Sequence, residues 1–102
     1  MLKLAVLVSG GGTNLQAVID AVSDGKIENA QVSYVISNKK DAYALRRAEN
    51  HGIKHDCISP KDYESRAEFD QALAEALDRA RPDLIVLAGY LVILPELVIQ
   101  KY

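Results

Sequence analysis

Leu4-Ala5-Val6-Leu7-Val8-Ser9-Gly10-Gly11-Gly12-Thr13-Asn14-Leu15 decides the fold of this chain. An uninterrupted apolar run from about Lys3 to Ser9 has no polar face, as expected of a strand covered by helices on both sides. The glycines break that strand, and a helical pattern starts directly after them. Leu15, Val18, Ile19 and Val22 recur at helical spacing and form one apolar stripe. Thr13 or Asn14 is expected to cap this helix, and Asp24-Gly25 to end it with glycine in the left-handed conformation. A buried strand, a glycine turn and an amphipathic helix in succession open a βαβ unit.

The rest of the chain repeats this alternation. Gln31 to Ile36 reads as a second strand, followed by the loop Ser37-Asn38-Lys39-Lys40. Asp41 is the expected cap of a helix over Ala42 to Glu49, with Ala44, Leu45 and Ala48 inward and His51-Gly52 as its stop. Lys54 to Ile58 is a weaker strand whose polar content suits a sheet edge. After Ser59-Pro60, the order Ser65-Arg66-Ala67-Glu68 fits a capping box. The helix it opens runs to about Ala80, buries Phe69, Leu73, Ala76, Leu77 and Ala80, and sets Glu75 four residues before Arg79. Pro82 prevents continuation. Leu84 to Ala88 is a fourth, wholly apolar strand, and Pro95 starts a short helix to the end of the chain.

Right-handed crossovers arrange these elements as a Rossmann-like three-layer α/β sandwich, with a parallel sheet of order 3-2-1-4 and helices on both faces. The order reverses between the first and fourth strands. Ligands bind in the crevice beyond the carboxyl ends of such a pair. The segments Ser9 to Asn14 and Gly89 to Leu94 are expected to meet there.

Composition narrows the function. The 102 residues carry a net charge of −2 and are 49% hydrophobic and 25% charged, the profile of one ordinary globular domain. Lys and Arg form no basic stripe, so nucleic acid is not an expected partner. The apolar N-terminal run is too short to span a membrane. A lone cysteine, Cys57, suits a reducing compartment, and the expected location is the cytoplasm.

The glycine turn carries the chemistry. The N–H groups of a helix's first turn lack intrahelical partners, and the helix dipole adds partial positive charge there. Glycines allow an anion to approach the backbone closely, so phosphate binds without a basic side chain. A dinucleotide fingerprint requires a third glycine where Leu15 stands and an acid after the second strand, where Ser37-Asn38 stands. A P-loop requires a Gly-Lys-Ser/Thr that is absent. A single phosphate group fits best; the bland alternative is a tight turn with no ligand.

Other candidates have simpler readings. Cys57 reads as a core residue, His51 as part of a helix stop and His55 as an edge-strand residue, with no metal-spaced ligands beside them. Lys39 and Lys40 read as solvated charges, Ser37-Asn38 as either a turn or part of the site, and Tyr90 as cover for the end of the sheet.

The stretch Ser9-Gly10-Gly11-Gly12-Thr13-Asn14-Leu15-Gln16 resembles the opening of the glycinamide ribonucleotide formyltransferases. The likeness continues through Val35-Ile36-Ser37-Asn38-Lys39 with Asp41-Ala42, Ser65-Arg66, and Leu87-Ala88-Gly89-Tyr90 followed by Ile93-Leu94. It covers the whole chain in the right order, and residues 1–102 then correspond to the N-terminal, substrate-binding half of such a domain. The resemblance implies transfer of a formyl group from 10-formyltetrahydrofolate to the amine of glycinamide ribonucleotide in purine biosynthesis. It implies that Gly11, Gly12, Thr13 and Asn14 hold the substrate phosphate and that Gly89 lies where the two ligands meet. It further implies that Arg66 and Leu91, Val92, Ile93 and Leu94 line the folate side. The family usually has Met-Arg where this chain has Leu91-Val92, so one charge is missing from that wall.

In the family, an Asn-x-His-Pro-Ser strand and a later loop aspartate carry out the chemistry. Neither is found up to Tyr102, so no catalytic residue is expected within the chain, and activity is not expected from it alone. A fold truncated after its fourth strand has an open edge, and a homodimer through that edge or the C-terminal helix, or a partner carrying the missing half, is expected. The alternative function is a stand-alone phosphate- or nucleotide-binding module.

Overall fold

The structure, a computed structural model, describes residues 2–9, 13–25, 29–39 and 43–88, with only the backbone at Thr13 and Asn14. Four parallel strands, β1 (Leu2–Val8), β2 (Ala30–Ser37), β3 (His55–Cys57) and β4 (Leu84–Leu87), lie in the order β3-β2-β1-β4. They alternate with α1 (Thr13–Ser23), α2 (Tyr43–Asn50) and α3 (Arg66–Ala80). The expected sheet order and Rossmann-like class are what is observed.

Strand pleating sorts the core into two layers. From β1 and β2, Ala5, Leu7, Tyr34 and Ile36 pack with Phe69, Leu73, Ala74, Ala76 and Leu77 of α3. Val6, Val8 and Val35 face the other way, onto Leu15 and Ile19 of α1 and Ala44 and Ala48 of α2. Helices thus cover both faces. Phe69, Leu73 and Leu77 are fully buried, each contributing about 1.5–3 kcal/mol by leaving water.

A bulge in β2 was not visible in the sequence. Leu4 pairs with Val32 but Ala5 pairs with Tyr34, so Ser33 is the additional residue, and its hydroxyl donates to the Leu4 carbonyl at 3.4 Å. Without the bulge Val32 and Tyr34 would share a face. With it, Val32 packs in the α1–α2 layer and Tyr34 in the α3 layer.

The expected strand over Lys54 to Ile58 is shorter as a strand, but its flanks complete the ladder. Val35 N–H donates to the Lys54 carbonyl and Ile58 N–H to the Ser37 carbonyl, both at 2.9 Å. A 3₁₀ turn over Pro60–Asp62 follows, capped by Ser59 Oγ, which accepts from Lys61 N–H at 3.3 Å. Gly25 and Gly52 end α1 and α2 at φ of +77° and +67°, as expected.

Several local expectations are corrected. Thr13 and Asn14 already lie within α1 and so are helical residues instead of its cap. Ser65 caps α3 by accepting from Glu68 N–H at 3.2 Å, but the Glu68 carboxylate reaches past the cap to the N–H of Glu64 at 3.3 Å. Glu75 accepts from Gln71 at 3.1 Å instead of pairing with Arg79; the amide lies one turn back on the same face. α3 ends on Arg81 at φ of +50°, whose N–H bonds to the Leu77 carbonyl at 2.9 Å. Pro82 disfavours right-handed helix at the residue before it. The cap expected from Asp41 and the helix from Pro95 lie outside the described residues.

Asp83 secures the start of β4. Its N–H donates to the Lys3 carbonyl at 2.8 Å and its carboxylate accepts from Lys3 N–H at 2.7 Å. β4 reads as an interior strand by composition, yet Leu84 and Leu87 are 48% and 52% exposed. Among the described residues it is the terminal strand of the sheet.

Candidate functional site

Because every strand is parallel, all carboxyl ends lie along one edge of the sheet. Three of them converge where the order reverses. Asn38, the first residue after β2, donates its N–H to the Val8 carbonyl at 3.3 Å, and Ala88, the first after β4, donates to the Leu7 carbonyl at 2.9 Å. Ser9 sits between them, 1% exposed, beside Ser37, which is fully buried. Two buried hydroxyls at the end of an otherwise apolar sheet mark where the core gives way to polar surroundings.

The turn after β2 is closed by its own atoms. Ser37 Oγ accepts from Lys39 N–H and donates to the Lys39 carbonyl, both at 3.0 Å. Asn38 takes no side-chain part in this, and its Oδ1 is buried without a hydrogen-bond partner. An orphaned acceptor at the edge where ligands bind is uncommon in a native fold. The sequence singled out Ser37-Asn38 without distinguishing a turn from a site. The structure shows Ser37 making the turn.

The predicted site residues fall unevenly. The backbones of Thr13 and Asn14 lie in the first turn of α1, directly after Gly10-Gly11-Gly12 in the sequence. Gly11, Gly12, Gly89, Leu91, Val92, Ile93 and Leu94 lie outside the described residues. Ala88, immediately before Gly89, does reach the carboxyl end of β1. Arg66 is the first residue of α3, on the opposite face of the sheet from α1. Its Nε pairs with Asp70 at 2.8 Å, and its guanidinium lies 5.3 Å from the Phe69 ring centroid. The Arg66 side chain is still 49% exposed.

The histidines are accounted for elsewhere. His51 Nε2 lies 3.3 Å from Gln16 Nε2 in a network that joins α1 to α2, where Gln16 also receives Arg47 at 3.2 Å and donates to Asp20 at 2.9 Å. His55 Nδ1 lies 2.9 Å from the Ile53 carbonyl. Cys57 is half-buried on β3. Among the described residues no cluster of His, Cys, Asp or Glu could hold a metal ion, and no helix is long and apolar enough to cross a membrane.

A parallel sheet of this order, with helices on both faces, defines a Rossmann-like α/β domain. Sequence comparison makes the class specific: the chain belongs to the formyl transferase family, which it matches over residues 2–102. It is 45% identical over its whole length to a phosphoribosylglycinamide formyltransferase of Haemophilus influenzae, covering 48% of that protein. It is 40% identical to the Escherichia coli phosphoribosylglycinamide formyltransferase, with 99% of this chain and 47% of that one aligned. The crystal structure of glycinamide ribonucleotide transformylase 1 from Symbiobacterium toebii superimposes with a TM-score of 0.91 at 41% identity, over 100% of this chain and 48% of that one. The chain spans about half the length of the curated relatives it matches.

Proposed function

We propose that this chain supplies the phosphate-binding half of an enzyme that transfers a formyl group from 10-formyltetrahydrofolate to the amine of glycinamide ribonucleotide. The observation that carries the reading is the sequence Gly10-Gly11-Gly12 between β1 and the start of α1, beside the reversal of the sheet order, in a chain 45% identical to a protein named for that substrate. Gly11, Gly12, Thr13 and Asn14 hold the phosphate by backbone N–H groups at the helix end, and Gly89 lies between the two ligands. The enzyme works in the cytoplasm on small molecules.

In the reaction the amine attacks the formyl carbon, an oxyanion develops, the bond from that carbon to the folate nitrogen breaks, and the amine loses a proton. This chain's part is alignment: anchoring the phosphate fixes the amine relative to the formyl carbon. On the folate side, Leu91, Val92, Ile93 and Leu94 form an apolar wall, and Arg66 receives the carboxylates of the glutamate tail. The exposure of Arg66 fits that role, since a second carboxylate can reach its guanidinium beside Asp70. Exposed Leu84 and Leu87 support association through the β4 edge, with a second copy as the expected partner.

Calorimetric titration with glycinamide ribonucleotide tests the proposal. Gly12→Val, which places a side chain where the anion approaches, is expected to abolish binding while the protein stays folded by circular dichroism. Undiminished binding by that variant would overturn the proposal.

A further inference from the structure

We infer that His51 is a pH-sensitive clasp between α1 and α2, closed while its imidazole is neutral and opened by a proton on Nε2. The device needs no ligand and is independent of the proposed anion site. Its parts meet at the side chain of Gln16 on α1. Gln16 Nε2 donates to Asp20 Oδ1 at 2.9 Å, Gln16 Oε1 accepts from Arg47 at 3.2 Å, and His51 Nε2 lies 3.3 Å from Gln16 Nε2. Asp20 belongs to α1 and Arg47 to α2, and His51 directly follows α2. The His51 N–H bonds to the Arg47 carbonyl at 3.2 Å, one helical turn back.

Two neighbours fix the orientation of the amide, and the amide fixes the state of the ring. A carboxylate only accepts and a guanidinium only donates. Asp20 therefore holds the Gln16 NH₂ and Arg47 holds the Gln16 oxygen, and turning the amide over would lose both bonds. The second hydrogen of that NH₂ is left for His51 Nε2. An imidazole nitrogen that receives a donor carries its lone pair there, so the ring proton sits on Nδ1. Protonation sets a second donor against the first, and the bond from α1 to the end of α2 is lost. Of the charged groups that share Gln16 with the ring, Asp20 attracts an imidazolium and Arg47 repels it. Along the chain its charged neighbours are Glu49 and Lys54. None of them supplies the bond that the neutral ring makes with Gln16. His51 is exposed, so solvent protons reach it. Imidazole changes charge between about pH 5 and 8. The clasp is complete above that range and is lost as the pH falls through it.

A double-mutant cycle with Gln16→Leu and His51→Ala isolates the pair. Urea unfolding of the full chain, unsubstituted and with each change alone and both together, is expected to show coupling of about threefold in the folding equilibrium constant at about pH 8 and none at about pH 5. Gln16→Glu replaces the donor by an acceptor, so in a cycle with His51→Ala its coupling should reverse the trend and grow from pH 8 to pH 5. Long-range proton–nitrogen NMR reads the ring directly, and the proton is expected on Nδ1 at pH 8. A proton on Nε2 at pH 8 would overturn the clasp. So would Gln16→Leu coupling that is absent at pH 8 or equal at both pH values, or Gln16→Glu coupling that fails to grow in acid.

Discussion

The Tyr34 phenol donates a hydrogen bond to the Asp56 carboxylate, tying β2 to β3 on the face that α3 covers. The ring is only 3% exposed, and the Lys54 ammonium lies 5.5 Å from its centroid. Burial raises the Tyr34 pKa well above its ordinary value of 10.0; the hydrogen bond to Asp56 and the charge of that carboxylate raise it further, and Arg79 opposes them. Above about pH 10 the unfolded chain gives up this proton while the folded chain keeps it, so alkali drains stability. The contribution is complete below pH 10 and is lost as the pH climbs toward the folded value. Tyr34→Phe is expected to cost about 1 kcal/mol near neutrality, where it only removes a hydrogen bond. The deficit should shrink by about pH 11, where the phenol has become a liability. Urea midpoints of both proteins at the two pH values check this; a constant gap would show that Tyr34 does not titrate as described.

Arg81 offers a stabilising change. It holds φ of +50° to cap α3 ahead of Pro82, a conformation that crowds the Cβ of any L residue. Arg81→Gly removes the crowding and keeps the N–H that bonds to Leu77. The expected gain is about 0.5–1 kcal/mol, after subtracting the extra freedom glycine has when unfolded. Arg81→Ala, which keeps the Cβ, should gain nothing. Thermal melts of the two variants separate conformational strain from loss of the charge.

How far the sequence could be read follows from which physical signal each feature left in it. The four strands and their order were legible because a buried strand and an amphipathic helix leave periodicities that short connections turn into topology. Ser33 was not legible as a bulge, since nothing in Gln31-Val32-Ser33-Tyr34 distinguishes an extra residue from an ordinary alternation. The left-handed cap at Arg81 was hidden because Pro82 announces that a helix ends without saying how. The Tyr34–Asp56 and Lys3–Asp83 ties join residues far apart in the chain, and no local pattern encodes their partners. At the site, the glycine turn stood out because glycine runs have a backbone meaning. Asn38 did not, because asparagine closes turns as readily as it binds ligands. The positions of Ser37 and Lys39 show only that those two residues, and not the Asn38 side chain, close this turn.

Leucines of the same type should respond oppositely according to layer. Leu73 is fully buried among Ala5, Leu7 and Phe69, whereas Leu87 is 52% exposed. Leu73→Ala is expected to cost about 2–5 kcal/mol through lost burial and the cavity left behind. That is enough to unfold much of a marginally stable domain. Leu87→Lys should change the stability of the isolated chain by less than about 0.5 kcal/mol. In sedimentation at high concentration, however, the lysine should shift any dimer toward monomer, because it places a charge on the β4 edge. Association unaffected by Leu87→Lys would place the contact elsewhere.

Arg66 and Asp70 permit a test that separates binding from architecture. Their ion pair is one helical turn apart and partly solvated, with side chains 49% and 25% exposed. Pairs of this kind contribute only about 0.3–0.5 kcal/mol, so removing either partner should barely move the thermal midpoint. Binding should respond asymmetrically. If Arg66 receives the carboxylates of a folate tail, Arg66→Ala removes charge-assisted hydrogen bonds and should weaken folate by about tenfold or more. Arg66→Lys should recover only part of the loss, because an ammonium cannot reproduce the planar fork. Asp70→Asn removes the carboxylate that competes for the guanidinium, so folate affinity should hold or rise. A pteroate ligand without the glutamate tail supplies the control: its affinity should be the same in all four proteins. If Arg66→Ala weakened pteroate as much as folate, Arg66 would act through the shape of the α3 terminus instead of contacting the tail.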